Sequence, residues 1–203
     1  RLWNFDVANK KLRPTEVKTF SKVRMARNCD VDHDDEYAYV GTSTGDVLQI
    51  ALQAQIPCVQ HSYPKMGHLL SAGISNVKII PDGSLVIASG DGVVRRLRIR
   101  DGEMQMAKGA ECKVHGGITS ITPTQDSTYM FVGTNQSNMY WVDTSSLTAE
   151  LKNTCHTEGV TQIAFAEGCS SVFGTAAGSD IRLWNTAKRQ ELVRIVVPNR
   201  TCL

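Results

Sequence analysis

The tetrapeptide Arg-Leu-Trp-Asn occurs twice in this chain, at 1–4 and again at 182–185, and each copy ends a short segment of alternating polar and apolar residues. Three weaker copies lie between them. Aligned on the residue that stands for tryptophan, the five units place Trp3, Ile50, Leu97, Val142 and Trp184 at intervals of 47, 47, 45 and 42 residues. All five side chains are large and apolar. A period in this range, sustained along 203 residues, constrains the fold more than any other feature, because each unit must bury its apolar faces on its neighbours.

The units agree at further positions. Tyr37-Ala-Tyr-Val-Gly-Thr42 returns as Tyr129-Met-Phe-Val-Gly-Thr134, 92 residues or two periods later. Upstream, apolar pairs three apart recur at Ile74/Val77, Ile118/Ile121 and Val160/Ile163. A polar turn follows each, at Pro81-Asp82-Gly83, Gln125-Asp126-Ser127 and Glu167-Gly168-Cys169, with His33-Asp34-Asp35 in the first unit. Gly45, Gly92, Ser137 and Ser179 then mark a second, tight turn before the segment that ends at the tryptophan position. Each unit reads as strand, turn, strand, tight turn, strand and a variable fourth segment. Such a sheet has two apolar faces and must stack on similar sheets, and stacking around an axis makes a β-propeller. No segment sustains the spacing of an amphipathic helix. The expected fold is all-β, a partial propeller of about four four-stranded blades after a leading strand, with residues 1–203 forming one part of it.

Composition narrows the function. Lys and Arg number 22 against 20 Asp and Glu, a net charge of +2, which lacks the basic excess of a dedicated nucleic-acid binder. No apolar run approaches the ~18–20 residues that span a bilayer, so no membrane partner is expected. The six cysteines (Cys29, Cys58, Cys112, Cys155, Cys169, Cys202) form no C-x-x-C pair, which points to free thiols packed as small apolar groups in a reducing, intracellular compartment.

Motifs that would carry chemistry fail on inspection. Asp30-Val-Asp-His-Asp-Asp-Glu36 begins like a calcium loop, but Asp35 stands where that loop needs glycine and Gly41 where it needs a bidentate glutamate; it reads as a solvated hairpin turn. Gly90-Asp91-Gly92 lacks the third glycine and the helix of a dinucleotide site, and no phosphate loop occurs. His33, His61, His68, His115 and His156 show no paired-ligand spacing for zinc. No catalytic, cofactor or metal residue is assigned, and no small-molecule substrate is expected. The unusual charge feature is Arg95, Arg96, Arg98 and Arg100. In a strand, Arg96, Arg98 and Arg100 share one face and Leu97 and Ile99 the other, so this is either a basic stripe for an acidic protein partner or a charged edge that discourages strand pairing.

The Trp-Asn closes, weakened in the middle copies to Ile50-Ala51, Leu97-Arg98 and Val142-Asp143, resemble the Trp-Asp close of WD-repeat β-propellers. The upstream Gly-His of that family is matched best by His156 and more weakly by His115. The resemblance implies a structural side-chain network, partial here, through His156, Thr175 and Trp184. A narrower resemblance rests on Lys11-Leu-Arg-Pro-Thr-Glu16, Gly41-Thr-Ser-Thr-Gly-Asp46, Gly117-Ile-Thr-Ser-Ile-Thr122 and Asp180-Ile-Arg-Leu-Trp184 running on to Val197-Pro-Asn199. In order and spacing these are similar to the cilia- and flagella-associated WD-repeat proteins of axonemal doublet microtubules. Members of that family are much longer, and a closed seven-bladed ring alone needs roughly 300 residues at this repeat length, so the chain reads as a fragment. The resemblance implies a non-catalytic scaffold of cilia and flagella that binds tubulin in the doublet lumen. The alternative is a cytosolic adaptor for short acidic or phosphorylated peptides, which needs arginines on the blade tops. An enzyme on the same frame would need titratable residues converging on the central funnel, since a fold does not fix a function.

Overall fold

The computed structural model describes residues 2–15, 25–54, 56–64, 70, 72–100, 102–165, 167–168 and 170–197. Arg1, Glu16, His68, Cys169, Cys202 and the segment from Pro198 to Asn199, which carry parts of the sequence reading, lie outside them. Every regular element among the described residues is a strand. A hairpin of β1 (Leu2–Asp6) and β2 (Lys11–Thr15) comes first. The first four-stranded sheet holds β3 (Ala26–Val31), β4 (Tyr37–Thr42), β5 (Val47–Ala51) and β6 (Cys58–Tyr63). The second holds β7 (Ile74–Ile79), β8 (Leu85–Ser89), β9 (Val93–Arg100) and β10 (Glu103–Lys113). The third holds β11 (Ile118–Pro123), β12 (Tyr129–Thr134), β13 (Asn138–Asp143) and β14 (Ala149–Thr154). The fourth holds β15 (Gln162–Phe165), β16 (Val172–Ala177), β17 (Asp180–Asn185) and β18 (Gln190–Val196).

Each four-stranded sheet is an antiparallel meander in chain order, the blade expected from the repeat. The leading element is a two-stranded hairpin rather than a single strand. The apolar pairs three apart do not fit a strict period of two, and the reason is a bulge. Register slips between Ile74 and Asn76 and between Ile118 and Ser120, and the extra residue reverses the phase of the pleat. Ile74, Val77, Ile118 and Ile121 therefore all point inward and are buried. Val160 and Ile163, expected as a further such pair, are exposed. Val160 precedes β15, and β15 pairs with β16 without a slip, so nothing turns both residues to one face.

The core lies between blades. Tyr39 and Val47 of the first sheet pack with Ile74, Val77, Leu85, Ile87 and Leu97 of the second. Val86, Ala88 and Val94 of the second pack with Ile118, Met130, Val132 and Val142 of the third. Strand β8 serves both clusters: Leu85 and Ile87 face one neighbour, Val86 and Ala88 the other. Period-two alternation in which both phases are apolar is the signature of a sheet sandwiched between two others. The fourth sheet and the hairpin differ. Phe165, Val193 and Ile195, and at the other end Trp3, Phe5 and Leu12, are exposed.

Two devices hold neighbouring sheets in register. A Cβ on Gly41 would fall 2.5 Å from Ile74 Cγ2, so the glycine of the repeated Tyr-x-x-Val-Gly-Thr segment is what lets β7 approach β4. The outer edge of β7 is satisfied by side chains of β3: the Val77 amide donates to Asn28 Oδ1 at 2.9 Å and the Ile79 amide to Asp30 Oδ2 at 3.0 Å. Amides on an unpaired strand edge need such partners. Within every blade a further bond recurs. The carbonyls of Gly45, Gly92, Ser137 and Ser179 accept from the amides of Leu70, Val114, Cys155 and Val197 at 2.9, 2.8, 2.9 and 2.7 Å. The tight turn between the second and third strands is thereby tied to the chain leaving the fourth.

Candidate functional site

The polar centre of the fourth sheet is built on β17. Alternation puts Asp180, Arg182 and Trp184 on one face of that strand, beside Thr175 of β16. Trp184 Nε1 donates to Thr175 Oγ1 at 2.8 Å, Thr175 Oγ1 lies 2.7 Å from His156 Nε2, and His156 Nδ1 lies 3.1 Å from Asp180 Oδ2. An imidazole carrying its proton on Nδ1 satisfies the whole chain: indole to hydroxyl, hydroxyl to Nε2, Nδ1 to carboxylate. The three residues expected from the sequence are thus joined, and Asp180 completes the network.

Sequence reasoning missed what surrounds it. Arg182 is 1% exposed and makes four bonds: Nε to Asp180 Oδ2 at 2.8 Å, Nη1 to Thr154 Oγ1 and to Glu191 Oε2 at 2.7 Å each, and Nη2 to the Cys155 carbonyl at 2.6 Å. Arg194 Nε adds a bond to Asp180 Oδ1 at 3.0 Å. Burial alone would raise the Asp180 pKa, yet the hydrogen bonds and charges of Arg182 and Arg194 outweigh it and hold the carboxyl below its ordinary 3.8. A group with a lowered folded pKa contributes stability above its unfolded value of about 3.9, and that contribution is lost as pH falls through the folded value. Asp180→Asn should therefore be less stable than the parent at neutral pH, with the gap closing as pH falls below the ordinary carboxylate value of 3.8 in melts taken across the acid range. A gap of constant size would mean that Asp180 is not held as the carboxylate.

The other blades keep the positions and change the chemistry. Trp184 pairs with Phe173, as Val142 does with Met130, Leu97 with Leu85 and Ile50 with Ala38. Two residues beyond each partner stand Thr175, Val132, Ile87 and Val40. Where the tryptophan is lost the threonine is lost with it, so no buried hydroxyl or indole is left without its mate, and removing both members of a polar pair costs little. Remnants persist in the turns. In the third blade His115 Nδ1 lies 3.4 Å from Asn138 Nδ2, at the place of His156 and Asp180. In the first, Thr42 and Thr44 donate to the buried Asp46, and in the second Ser89 donates to Asp91. Trp3, expected as a further repeat position, lies on β1 opposite Pro14 and is exposed.

The arginine strand is divided. Arg95 Nε pairs with Glu111 at 3.1 Å and its Nη1 donates to Ser89. Arg96 crosses to the third sheet, where Nη1 donates to the Thr144 carbonyl at 3.1 Å, and it pairs with Asp82. Arg98 and Arg100 are exposed. Of Asp30 to Glu36, the first two residues end β3 and Asp32 to Glu36 form the β3–β4 turn, where Asp32 Oδ1 accepts from the amides of Glu36 and Tyr37 at 2.8 and 3.0 Å. Among the described residues no group of three or more His, Cys, Asp or Glu is placed to hold a metal ion. Cys29, Cys58, Cys112 and Cys155 are free thiols. Burial pushes the Cys112 thiol up to about 11, whereas Cys29 and Cys155 are exposed rather than packed as expected.

Four-stranded meanders stacked through apolar faces, with His156, Asp180, Thr175 and Trp184 linking loop, turn and strands, have the fold of a segment of a WD-repeat β-propeller. The family described as "WD domain, G-beta repeat" matches residues 58–95, from β6 into β9. Along its length the chain is similar to Cilia- and flagella-associated protein 52: 38% identical to that of Chlamydomonas reinhardtii over 99% of this chain, and 35% identical to those of Bos taurus and Homo sapiens over 100%. It spans about a third of those relatives, 32%, 31% and 32% of their lengths. A chain in the crystal structure of the Mitotic Checkpoint Complex shares the fold at a TM-score of 0.53 and 18% identity, over 85% of this chain and 52% of that one.

Proposed function

We propose that residues 1–203 are part of one propeller that acts as a non-catalytic protein-interaction scaffold in cilia and flagella, binding tubulin on the luminal side of the doublet microtubule. The observation that carries this reading is the similarity along the whole chain to Cilia- and flagella-associated protein 52. Stacked rigid blades suit it, because they present turns and strand edges to partners without rearrangement. Tubulin is acidic, and Arg98 and Arg100 are the exposed members of the arginine strand; Arg95 and Arg96 already have intramolecular partners.

Co-sedimentation of the intact protein with closed microtubules and with opened tubulin sheets tests the proposal. Opened sheets, which expose the luminal surface, should pellet more protein than closed microtubules. The excess should fall as salt rises, since exposed charges are screened. Arg98→Glu with Arg100→Glu should lower it further at an unchanged melting temperature. No pelleting with either form would sink the tubulin reading and favour a cytosolic adaptor for acidic peptides.

A further inference from the structure

The seam between the second and third sheets opens into a cleft of about 510 Å³ on the face made by the β7–β8, β11–β12 and β13–β14 turns. Arg96 spans the seam there, yet its Nε is buried with no partner among the described residues, and so is Thr144 Oγ1. Both residues line the cleft, and Thr144 is only 4% exposed. Buried polar atoms are nearly always satisfied, so the unpartnered Arg96 Nε and Thr144 Oγ1, both in residues of the cleft wall, call for an oxygen partner that the described residues do not supply.

The same cleft is bordered by three carboxylates, one from each turn: Asp82, Asp126 and Asp143. Hydrogen bonds from the Ser146 amide and the Ser145 and Ser146 hydroxyls hold Asp143 at about 2, and the Thr124 and Thr128 hydroxyls lower Asp126. Asp82 is matched by Arg96. Among the described residues neither Asp126 nor Asp143 enters an ion pair. Pro81 and the half-exposed ring of Tyr129 supply apolar wall between them, of the kind that takes the methylene stem of a long basic side chain.

We infer that this cleft receives a lysine or arginine side chain from a basic segment of a protein partner, the cationic head between Asp126 and Asp143 and a backbone carbonyl of the segment toward Arg96 and Thr144. The inference rests on the reading of the chain as a protein-interaction scaffold and names a partner chemistry distinct from acidic tubulin.

The test uses the intact protein with fluorescein-labelled hexalysine and hexaglutamate, read by anisotropy, together with carbodiimide coupling of hexalysine mapped by mass spectrometry. Hexalysine should bind and hexaglutamate should not. Asp126→Asn with Asp143→Asn, which keeps one oxygen acceptor in each turn, should weaken hexalysine about tenfold, as expected for two exposed ion pairs. Coupling should fall on Asp126 and Asp143 in preference to Asp34 and Asp35 of the exposed β3–β4 turn, which carries four carboxylates between Asp32 and Glu36. Undiminished binding by the double variant, or coupling as frequent at Asp34 and Asp35, overturns the inference. If the double variant does not fold, the coupling map on the parent decides. Failure here leaves the tubulin pelleting result untouched, so the two readings are separable.

Discussion

Arg182→Ala should destabilise the protein by about 3–5 kcal/mol, the cost of breaking a buried ion-pair network from one side. The guanidinium is the common partner of Asp180, Glu191, Thr154 and the Cys155 carbonyl. Without it, among the described residues, Glu191 has no cation in the network and Asp180 keeps only His156 and the half-exposed Arg194. Arg182→Lys should recover only part of the loss, because an ammonium keeps the charge but lacks the flat fork that reaches four acceptors in different directions. The effect should also be regional. Thr154 ends β14, so Arg182 is a link between the third and fourth sheets, and limited proteolysis of the variant should cut first within 162–196. Denaturation of the intact protein measures the loss; a change under about 1 kcal/mol would show that water satisfies these groups instead.

Leu97→Ala should cost about 2–5 kcal/mol, the range for emptying a packed aliphatic site. Leu97 is fully buried among Ile74, Val77, Leu85 and Ile87, and it holds the position that Trp184 holds in the fourth sheet. The more instructive substitution is Leu97→Trp, which restores the residue typical of the repeat and should nonetheless destabilise. Ile87 stands where Thr175 accepts the indole, so the new N–H would be buried unpaired, and the larger ring would overpack the site. Adding Ile87→Thr should return part of the loss. If Leu97→Trp alone were stabilising, the argument that tryptophan and threonine are exchanged as a pair would fall.

These two residues also mark how much the sequence discloses. Leu97 and Trp184 were legible, because period, turn signals and alternation all placed them, whereas His156 and Thr175 came from the resemblance to WD-repeat propellers. Arg182 was not, although it lies two residues before Trp184 on the same face, because arginine is almost never fully buried and alternation reports a face without saying what covers it. The pleat likewise put Arg96, Arg98 and Arg100 together but could not show the Thr144 carbonyl closing over Arg96. Spacing by three at Ile74/Val77 and at Val160/Ile163 marked the repeat alike, yet the first pair is buried and the second exposed, since a bulge is a property of strand pairing and leaves no residue type of its own.

The bond from the Gly45, Gly92, Ser137 and Ser179 carbonyls to the amides of Leu70, Val114, Cys155 and Val197 is drawn wholly in main-chain atoms. Ordinary substitution cannot delete it; only proline at the donor removes the N–H. A blade can therefore surrender its tryptophan, as the middle three have with Ile50, Leu97 and Val142, and still close. That leaves its exposed side chains at liberty to diverge toward whatever each blade must touch, and it explains why so faded a repeat keeps so regular a shape.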